Sequence, residues 1–302
     1  MSGSIDVNLY IKEKKISVTY IVTAVMIIAV LAIVAVLVIF PGRGVLTVSQ
    51  CRKFLTDNRY IIHAGGFIED DGEILSYTNT RESVRNCYDT GNRISEFDLM
   101  ITVDDRIVCA HDDEEEGINW AYKVNGAGTP KCPPTCEAFI NARYDDRLST
   151  MSFDDLAAFM DDHPDFYVVT DVKDDNEQVC RLIKSSHPEL MNNLIIQIYH
   201  EDEYDRIRDL GFNNIIYTLY RATDEELTPD ALREFTKRTK LSGVTFWTDF
   251  PTSYVESFEV LKSCGIPLFV HTVNDKESMK SYIDMGITGV YTDVVNKEEQ
   301  YY

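Results

Sequence analysis

Positive charge is scarce in this chain: 29 Lys and Arg stand against 50 Asp and Glu, a formal charge of −21 over 302 residues. That balance argues against a nucleic-acid binder, which needs a basic footprint to displace counterions. It argues equally against adhesion of the folded part to an anionic membrane surface. Glycine (15) and proline (9) are neither dense nor periodic, which leaves out collagen-like and linker-like chains. Apolar residues, by contrast, are plentiful at 44%, with 26% charged. Such a chain buries a real core instead of staying disordered, and its length suits one large domain or two of ordinary size.

Charge is missing altogether from residues 16–40, which are mostly Ile, Val, Ala and Leu. As a helix rising ~1.5 Å per residue this stretch spans roughly 37 Å, more than the ~30 Å hydrocarbon core of a bilayer. The apolar region of a cleaved signal peptide is usually only ~7–15 residues, so an uncleaved anchor is expected. Lys12, Lys14 and Lys15 precede the span and only Arg43 follows closely, which orients the N-terminus toward the cytoplasm. The expected organisation is a cytoplasmic tail (1–15), a transmembrane anchor (16–40), a juxtamembrane linker and helix (41–59, the amphipathic part at 45–58) and a folded domain (60–302). The protein is then expected in the cell membrane as a single-pass protein with its body outside the cytoplasm.

The seven cysteines are an odd number, so they cannot all pair within one chain. Cys87, Cys109, Cys180 and Cys264 lie in apolar patterns and read as small core residues. Cys132 and Cys136 flank Pro133-Pro134 and form a candidate local disulfide outside the cell, since two ligands alone make a poor zinc site.

Beyond residue 59, short apolar runs at 60–63, 93–98, 167–172, 194–199, 214–219, 244–247, 268–272 and 289–292 read as strands. Helical patterns at 81–90, 153–162, 176–186, 202–210, 229–239, 252–263 and 276–285 separate them, with Ser152 and Thr228 as N-caps and Gly91, Gly211, Gly265 and Gly286 as stops. Strand alternating with helix implies parallel pairing, and eight such units in ~250 residues fit an α/β fold of the (β/α)8 TIM-barrel type. A doubly wound sheet is the alternative. The longest interruption, 99–151, holds a hairpin turn at Asp104-Asp105 and then an acidic, Gly- and Pro-rich excursion, expected as a lid or specificity loop.

In a barrel the chemistry collects where strands end. The polar residues there are His63, Glu96, Asp98, His111, Asp171, Lys173, His200, Trp247, His271 and Asn274. Glu96 and Asp98 are two apart and project from one face, and Asp171 and Lys173 repeat that spacing on the next strand. Three carboxylates pointing the same way repel one another, and a hard divalent cation, Ca2+ or Mg2+, is the natural occupant. Surface ion pairs at loop starts would give the same spacing. His63 precedes Gly65-Gly66, which let backbone approach a ligand, and His111 closes another apolar run. Two histidines beside a carboxylate cluster suggest an acid–base pair. Spacing alone leads to a metal-assisted barrel enzyme.

The order of motifs carries further. His63-Ala64-Gly65-Gly66, Tyr77-Thr78-Asn79-Thr80, Glu96-Phe97-Asp98, Thr102 through His111-Asp112, Asp171-Val172-Lys173, Thr272-Val273-Asn274-Asp275 and Gly289-Val290-Tyr291-Thr292-Asp293 follow in sequence. This succession resembles the glycerophosphodiester phosphodiesterase family of phospholipase-C-like barrels. The resemblance implies that His63 and His111 are the general acid and base. It also implies that Glu96, Asp98 and Asp171 bind one divalent cation and that Lys173 contacts the phosphate. In the family's usual reaction a base activates a hydroxyl for attack on phosphorus, and a cyclic phosphate can form and then be opened by water. The implied substrate is a small or lipid-derived phosphodiester, cleaved to sn-glycerol 3-phosphate and an alcohol.

Two positions depart from the family pattern. Ala64 stands where the family carries Arg, and Asp171 where it usually carries Glu. The Asp-X-Lys form also resembles sphingomyelinase D-like barrels, so phospholipase D-like action on intact lipid headgroups is an alternative, as is an inactive surface barrel that only binds. Trp247 is a candidate for stacking on a choline-like cation, with a place in the core or rim as its other reading. His271 is expected to line the pocket, and His200 is a weaker candidate. His163 and His187 read as structural, and the run 112–116 as a solvated loop or a negative collar.

Overall fold

The computed structural model describes residues 25–27, 46–111 and 134–300. Of the uncharged span 16–40, only Val25–Ile27 fall within the described residues, and these are helical. Among the described residues no helix is long and apolar enough to cross a membrane. Cys132 and the acidic run 112–116 lie outside the described residues.

Eight parallel strands form a ring: β1 (Tyr60–Ile62), β2 (Ile94–Ile101), β3 (Tyr167–Val172), β4 (Leu194–Ile198), β5 (Ile215–Thr218), β6 (Gly243–Trp247), β7 (Leu268–His271) and β8 (Gly289–Thr292). Each pairs with its successor, and Ile62 of β1 is in register with both Thr292 of β8 and Ser95 of β2. That closure makes the sheet a barrel and excludes the doubly wound alternative. The strands are rich in Val and Ile and buried on both faces, as parallel strands covered by helices must be.

A helix follows each strand but the last, running over Arg81–Asp89, Phe153–Asp162, Asn176–Ser186, Glu203–Asp209, Pro229–Arg238, Val255–Ser263 and Lys276–Asp284. The two expected N-caps are made: Ser152 Oγ accepts from the Asp155 N–H and Thr228 Oγ1 from the Ala231 N–H. The stretch 252–263, expected as one helix, is two, because Tyr254 (φ −123°, ψ 54°) breaks it between Phe250–Ser253 and Val255–Ser263.

β2 runs three residues past its expected end because Ile107–Cys109 folds back on it antiparallel, pairing Leu99 with Cys109. The turn of that hairpin is at Asp104-Asp105, with Asp105 at φ 56°. The excursion returns through the helix Cys136–Ile140, a small hairpin (Arg143–Tyr144 with Leu148–Ser149) and the strand Met151–Ser152. A third hairpin, Ile68–Asp70 with Glu73–Leu75, was not expected from the sequence. Cys87, Cys109 and Cys180 are buried as expected, whereas Cys264 is only partly covered.

The helix Val48–Asp57, capped by the reciprocal Thr47–Gln50 pair, is not part of a separate linker. Its Cys51 and Leu55, one turn apart, are buried against Ile61, Ile94, Val169, Ile195, Ile216, Phe269 and Tyr291, which point inward from seven of the eight strands. It therefore seals the barrel floor, and the compact unit begins at Val45.

Candidate active site

Above the floor the inward positions change character two residues later along six of the strands. Ile61 gives way to His63, Ile94 to Glu96, Val169 to Asp171, Ile195 to Gln197, Ile216 to Thr218 and Phe269 to His271. Because side chains alternate across a strand, residues i and i+2 share one face. The same inward row is thus apolar at the floor and polar at the mouth. It lines a cavity of about 640 Å³ at the C-terminal ends of the strands, joined by Tyr77, His111, Lys173, Tyr220, Arg221, Thr272 and Tyr291. This is the end where barrel enzymes place their chemistry.

His63 stands just past β1, where the chain turns sharply through Ala64 (φ 46°) and Gly65 (φ 81°). The glycines are required by packing: a Cβ on Gly65 would lie 2.2 Å from Ser83 Oγ. The His63 Nδ1–H donates to Asp293 Oδ1 at 2.8 Å, since a carboxylate can only accept. Asp293 is itself fixed, its Oδ2 accepting from Asn274 Nδ2 at 2.7 Å and its N–H donating to Asn274 Oδ1 at 2.9 Å. The other ring nitrogen of His63, Nε2, lies 4.0 Å from Glu96 Oε2. This is a carboxylate–imidazole pair that fixes one tautomer and stabilises the imidazolium.

His111 follows the returning strand Ile107–Cys109. Between the two imidazoles stands Tyr77 (φ 61°), edge-on to His63 at 4.3 Å and to His111 at 5.2 Å between ring centroids. Burial first, then the charges of Asp98 and Glu96, hold its phenol well above its ordinary pKa, so it stays neutral. A positive φ on an aromatic residue is costly and marks a position held by its surroundings.

Glu96, Asp98 and Asp171 offer carboxylate oxygens that all lie within 4.8 Å of one another. Asp98 and Asp171 are direct partners in the β2–β3 ladder. Glu96 Oε2 accepts from the Ala64 N–H at 3.0 Å, and Asp98 Oδ2 from Asn79 Nδ2 at 2.9 Å. Asp171 Oδ1 accepts from Tyr199 Oη and, at 3.1 Å, from Tyr220 Oη. The Lys173 ammonium bridges the cluster, 2.9 Å from both Asp98 Oδ1 and Asp171 Oδ2.

These contacts pull the carboxyls apart. Burial, and then Asp98 and Asp171, raise Glu96 well above the usual carboxylate range. Burial acts the same way on Asp171, but Lys173 and the Tyr199 hydroxyl outweigh it and bring the carboxyl down to about 2. Burial lowers Lys173, yet Asp98 and Asp171 more than reverse this and keep it firmly charged.

Three oxygen donors suit a hard divalent cation. The second oxygen of Glu96, Oε1, is buried with no hydrogen-bond partner among the described residues, which leaves one acceptor for such an ion. The oxygens of Asp98 and Asp171 that already accept hydrogen bonds have second lone pairs. The residues present therefore fit the cation that the sequence implies.

His271 lines the cavity with its Nε2 buried and without a partner among the described residues. Burial, then the nearby His63, lower it to about 4, so it is a neutral imidazole. Trp247 does not join the site. Its ring packs edge-on against Phe250 (5.2 Å) and Tyr254 (5.6 Å), in the aromatic cluster of the helix that follows β6. His200 pairs with Glu226 at 3.2 Å in a smaller neighbouring cavity. His163 stacks on Phe159, and His187 contacts Asp154.

Sequence reasoning assigned no role to Asp293, Asn79 or Tyr77, although they sit in its motifs, and it passed over Tyr199, Tyr220 and Arg221. Asp293 was within reach of it: a residue just past the last strand of a closed barrel neighbours one just past the first.

Comparison with known proteins agrees with the barrel fold. Residues 71–297 match a profile described as the Glycerophosphoryl diester phosphodiesterase family. The interval takes in Glu96, Asp98, His111, Asp171, Lys173 and Asp293, while His63 lies before it. A glycerophosphodiester phosphodiesterase of Bacillus subtilis is 23% identical over 233 residues, covering 68% of this chain and 76% of that one. Among solved structures, a glycerophosphoryl diester phosphodiesterase from Parabacteroides distasonis is 14% identical with a TM-score of 0.62, covering 84% of this chain and 90% of the other. An Oleispira antarctica phosphodiesterase, solved with the product sn-glycerol-3-phosphate, is 15% identical with a TM-score of 0.61, covering 79% and 94%.

Proposed function

The chain belongs to the glycerophosphoryl diester phosphodiesterase family and is a phosphoric diester hydrolase, and from that premise we propose that it cleaves glycerophosphodiesters to sn-glycerol 3-phosphate and an alcohol at the cavity above β1–β8. The observation that carries this reading is the meeting of two histidines, three carboxylates and a buried lysine around one opening. Glu96, Asp98 and Asp171 would hold one divalent ion, Ca2+ or Mg2+. Bound there, it supplies positive charge to the phosphoryl oxygens. Phosphoryl transfer depends chiefly on such charge and on positioning.

In this reading His63 is the base. Its Nε2 takes the proton of the attacking hydroxyl, and Asp293 stabilises the imidazolium that results. His111 is the acid and gives a proton to the departing alkoxide. Water then opens the cyclic phosphate, His111 taking its proton and His63 returning its own to the freed hydroxyl, so both histidines are reset and one water is consumed per turnover. Lys173 holds Asp98 and Asp171 in place and adds charge beside the phosphate. Tyr77 keeps the two imidazoles apart, and His271, neutral, offers the substrate a hydrogen bond without adding charge. The Bacillus subtilis relative's name and the product in the Oleispira antarctica structure favour a glycerol-bearing substrate.

The test is a substrate panel with the full chain in detergent. Glycerophosphocholine and glycerophosphoethanolamine should yield equimolar sn-glycerol 3-phosphate and alcohol, and EDTA should abolish turnover. Turnover of intact diacyl or sphingoid lipids alone would move the activity to lipid headgroups, and turnover of neither class would refute the reading.

We also propose that 16–40 anchors the enzyme in the cell membrane with the barrel outside the cytoplasm, on the strength of its uncharged length and the lysines before it. Protease added to intact, wall-free cells should then digest the body. Protection that persists until lysis would contradict the orientation.

A further inference from the structure

The described site is poor in positive charge for an enzyme that must receive an anion. Four carboxylates, Glu96, Asp98, Asp171 and Asp293, face or support it. Lys173 is already shared at 2.9 Å between two of them and is only 6% exposed. Even with one divalent ion bound, the formal charge is still negative when a phosphodiester approaches. Ala64, beside His63, is fully buried, and its N–H is committed to Glu96.

Among the described residues lining the cavity there is one guanidinium, and it comes from the other side of the ring. Arg221 ends the short 3-10 turn Leu219–Arg221 directly after β5. Its guanidinium carbon stands 4.6 Å from the Tyr199 ring centroid and 5.3 Å from that of Tyr220, and Nη1 reaches the Val172 carbonyl at 3.4 Å. Tyr199 and Tyr220 are the phenols that hydrogen-bond Asp171. The stack therefore suspends the fork of Arg221 above the acidic cluster, where it also lowers the Asp171 carboxyl. A planar fork held by aromatic faces loses little freedom on gripping an oxyanion.

We propose that Arg221 binds the substrate phosphate, its guanidinium taking non-bridging oxygens from the side of the cavity opposite His63. This rests on the phosphodiesterase reading for its substrate, but the role is a binding one and is measurable without turnover. Arg221 touches the phosphate, whereas Tyr199 and Tyr220 are positioning residues.

The test uses the full chain in detergent, with Arg221→Lys and Arg221→Gln, and two independent readouts. In saturating Ca2+ or Mg2+, inorganic phosphate should bind Arg221→Gln about 10- to 100-fold more weakly than wild type, the range for charged hydrogen bonds to an anion. Arg221→Lys should fall between them, because it keeps the charge and loses the fork. Divalent-cation affinity without phosphate and the melting temperature should change little. Added guanidinium ion, at concentrations below those that unfold the chain, should restore part of the lost kcat/KM of Arg221→Gln.

Phosphate affinity within threefold of wild type in Arg221→Gln would overturn the proposal. So would a loss matched by an equal loss of cation affinity and untouched by guanidinium, which would mean that Arg221 only supports Asp171. If wild type turns over no glycerophosphodiester, the phosphodiesterase reading fails on its own, while phosphate binding still decides the part played by Arg221.

Discussion

His63→Ala and His111→Ala each lower turnover by about 100- to 10,000-fold, roughly 3–5 kcal/mol of transition-state stabilisation, with KM and the fold little changed. The expectation follows from geometry. Both imidazoles border one cavity on either side of Tyr77, and His63 is held to a single tautomer by Asp293. Since the two serve one proton-transfer cycle, the double variant should be much less impaired than the product of the singles.

Asp293→Asn keeps the shape of the site but offers His63 an amide where it had a carboxylate, so it should fall most of the way toward His63→Ala. His163→Ala, stacked on Phe159 far from the chemistry, serves as the control and keeps near-normal turnover per folded molecule. The measurement is steady-state kinetics on wild type and these variants with the best glycerophosphodiester. Losses of only a few-fold in both histidine variants would refute the assignment.

Glu96→Gln should act in opposite directions on stability and on cation binding. Its carboxylate is 2% exposed, repelled by Asp98 and Asp171, and has one oxygen without a partner among the described residues. Neutralising it relieves that repulsion, so in EDTA the variant should melt above wild type. It also removes a ligand of a hard ion, so affinity for Ca2+ or Mg2+ should drop by about 100-fold or more. Saturating cation should then stabilise wild type more than the variant, because an ion that binds only the folded state raises its stability by mass action.

Asp98→Asn behaves differently. It strips one of two carboxylate partners from the buried Lys173 ammonium, which keeps Asp171. The variant should therefore lose stability, but less than the about 3–5 kcal/mol typical of a buried charge left unpaired. Melts in EDTA and in each cation, with titrations of the same proteins, distinguish these cases. Wild-type cation affinity in Glu96→Gln would remove that residue from the ligand set.

Most of the barrel was legible because buried parallel strands are short apolar runs, and the alternation with helices supplies the topology. The ends of β1 and of β3 to β8 differ from the sequence reading by no more than a residue. β2 did not, because its last three residues are strand only through pairing with Ile107–Cys109, a contact that no local pattern carries. The hairpin at Ile68–Leu75 had a signal that went unread, Asp71-Gly72 between two short alternating runs, and both residues adopt positive φ.

At the site, the carboxylates, Lys173 and three histidines could be named because they occupy strand ends in a regular order. The link from Asp293 to His63 spans 230 positions and exists only once the ring closes. Arg221 is exposed on a single turn, with no periodicity to mark it. Trp247 follows its core-or-rim reading because strand position fixes where a residue starts, while neighbouring rings decide where its side chain goes.

The paired inward rows, apolar at the floor and polar two residues on, mean that folding and catalysis are written in one phase. A slip of β3 by one residue would turn Val169 and Asp171 toward the helices and present Val168, Thr170 and Val172 to the lumen. A carboxylate would then be stranded in an apolar layer, and a ligand would be lost from the mouth. Mispaired barrels are thus both unstable and inactive. Selection on turnover alone would police the hydrogen-bonding register of the whole sheet, and engineers who alter this site should treat each chemical residue and the floor residue beneath it as one unit.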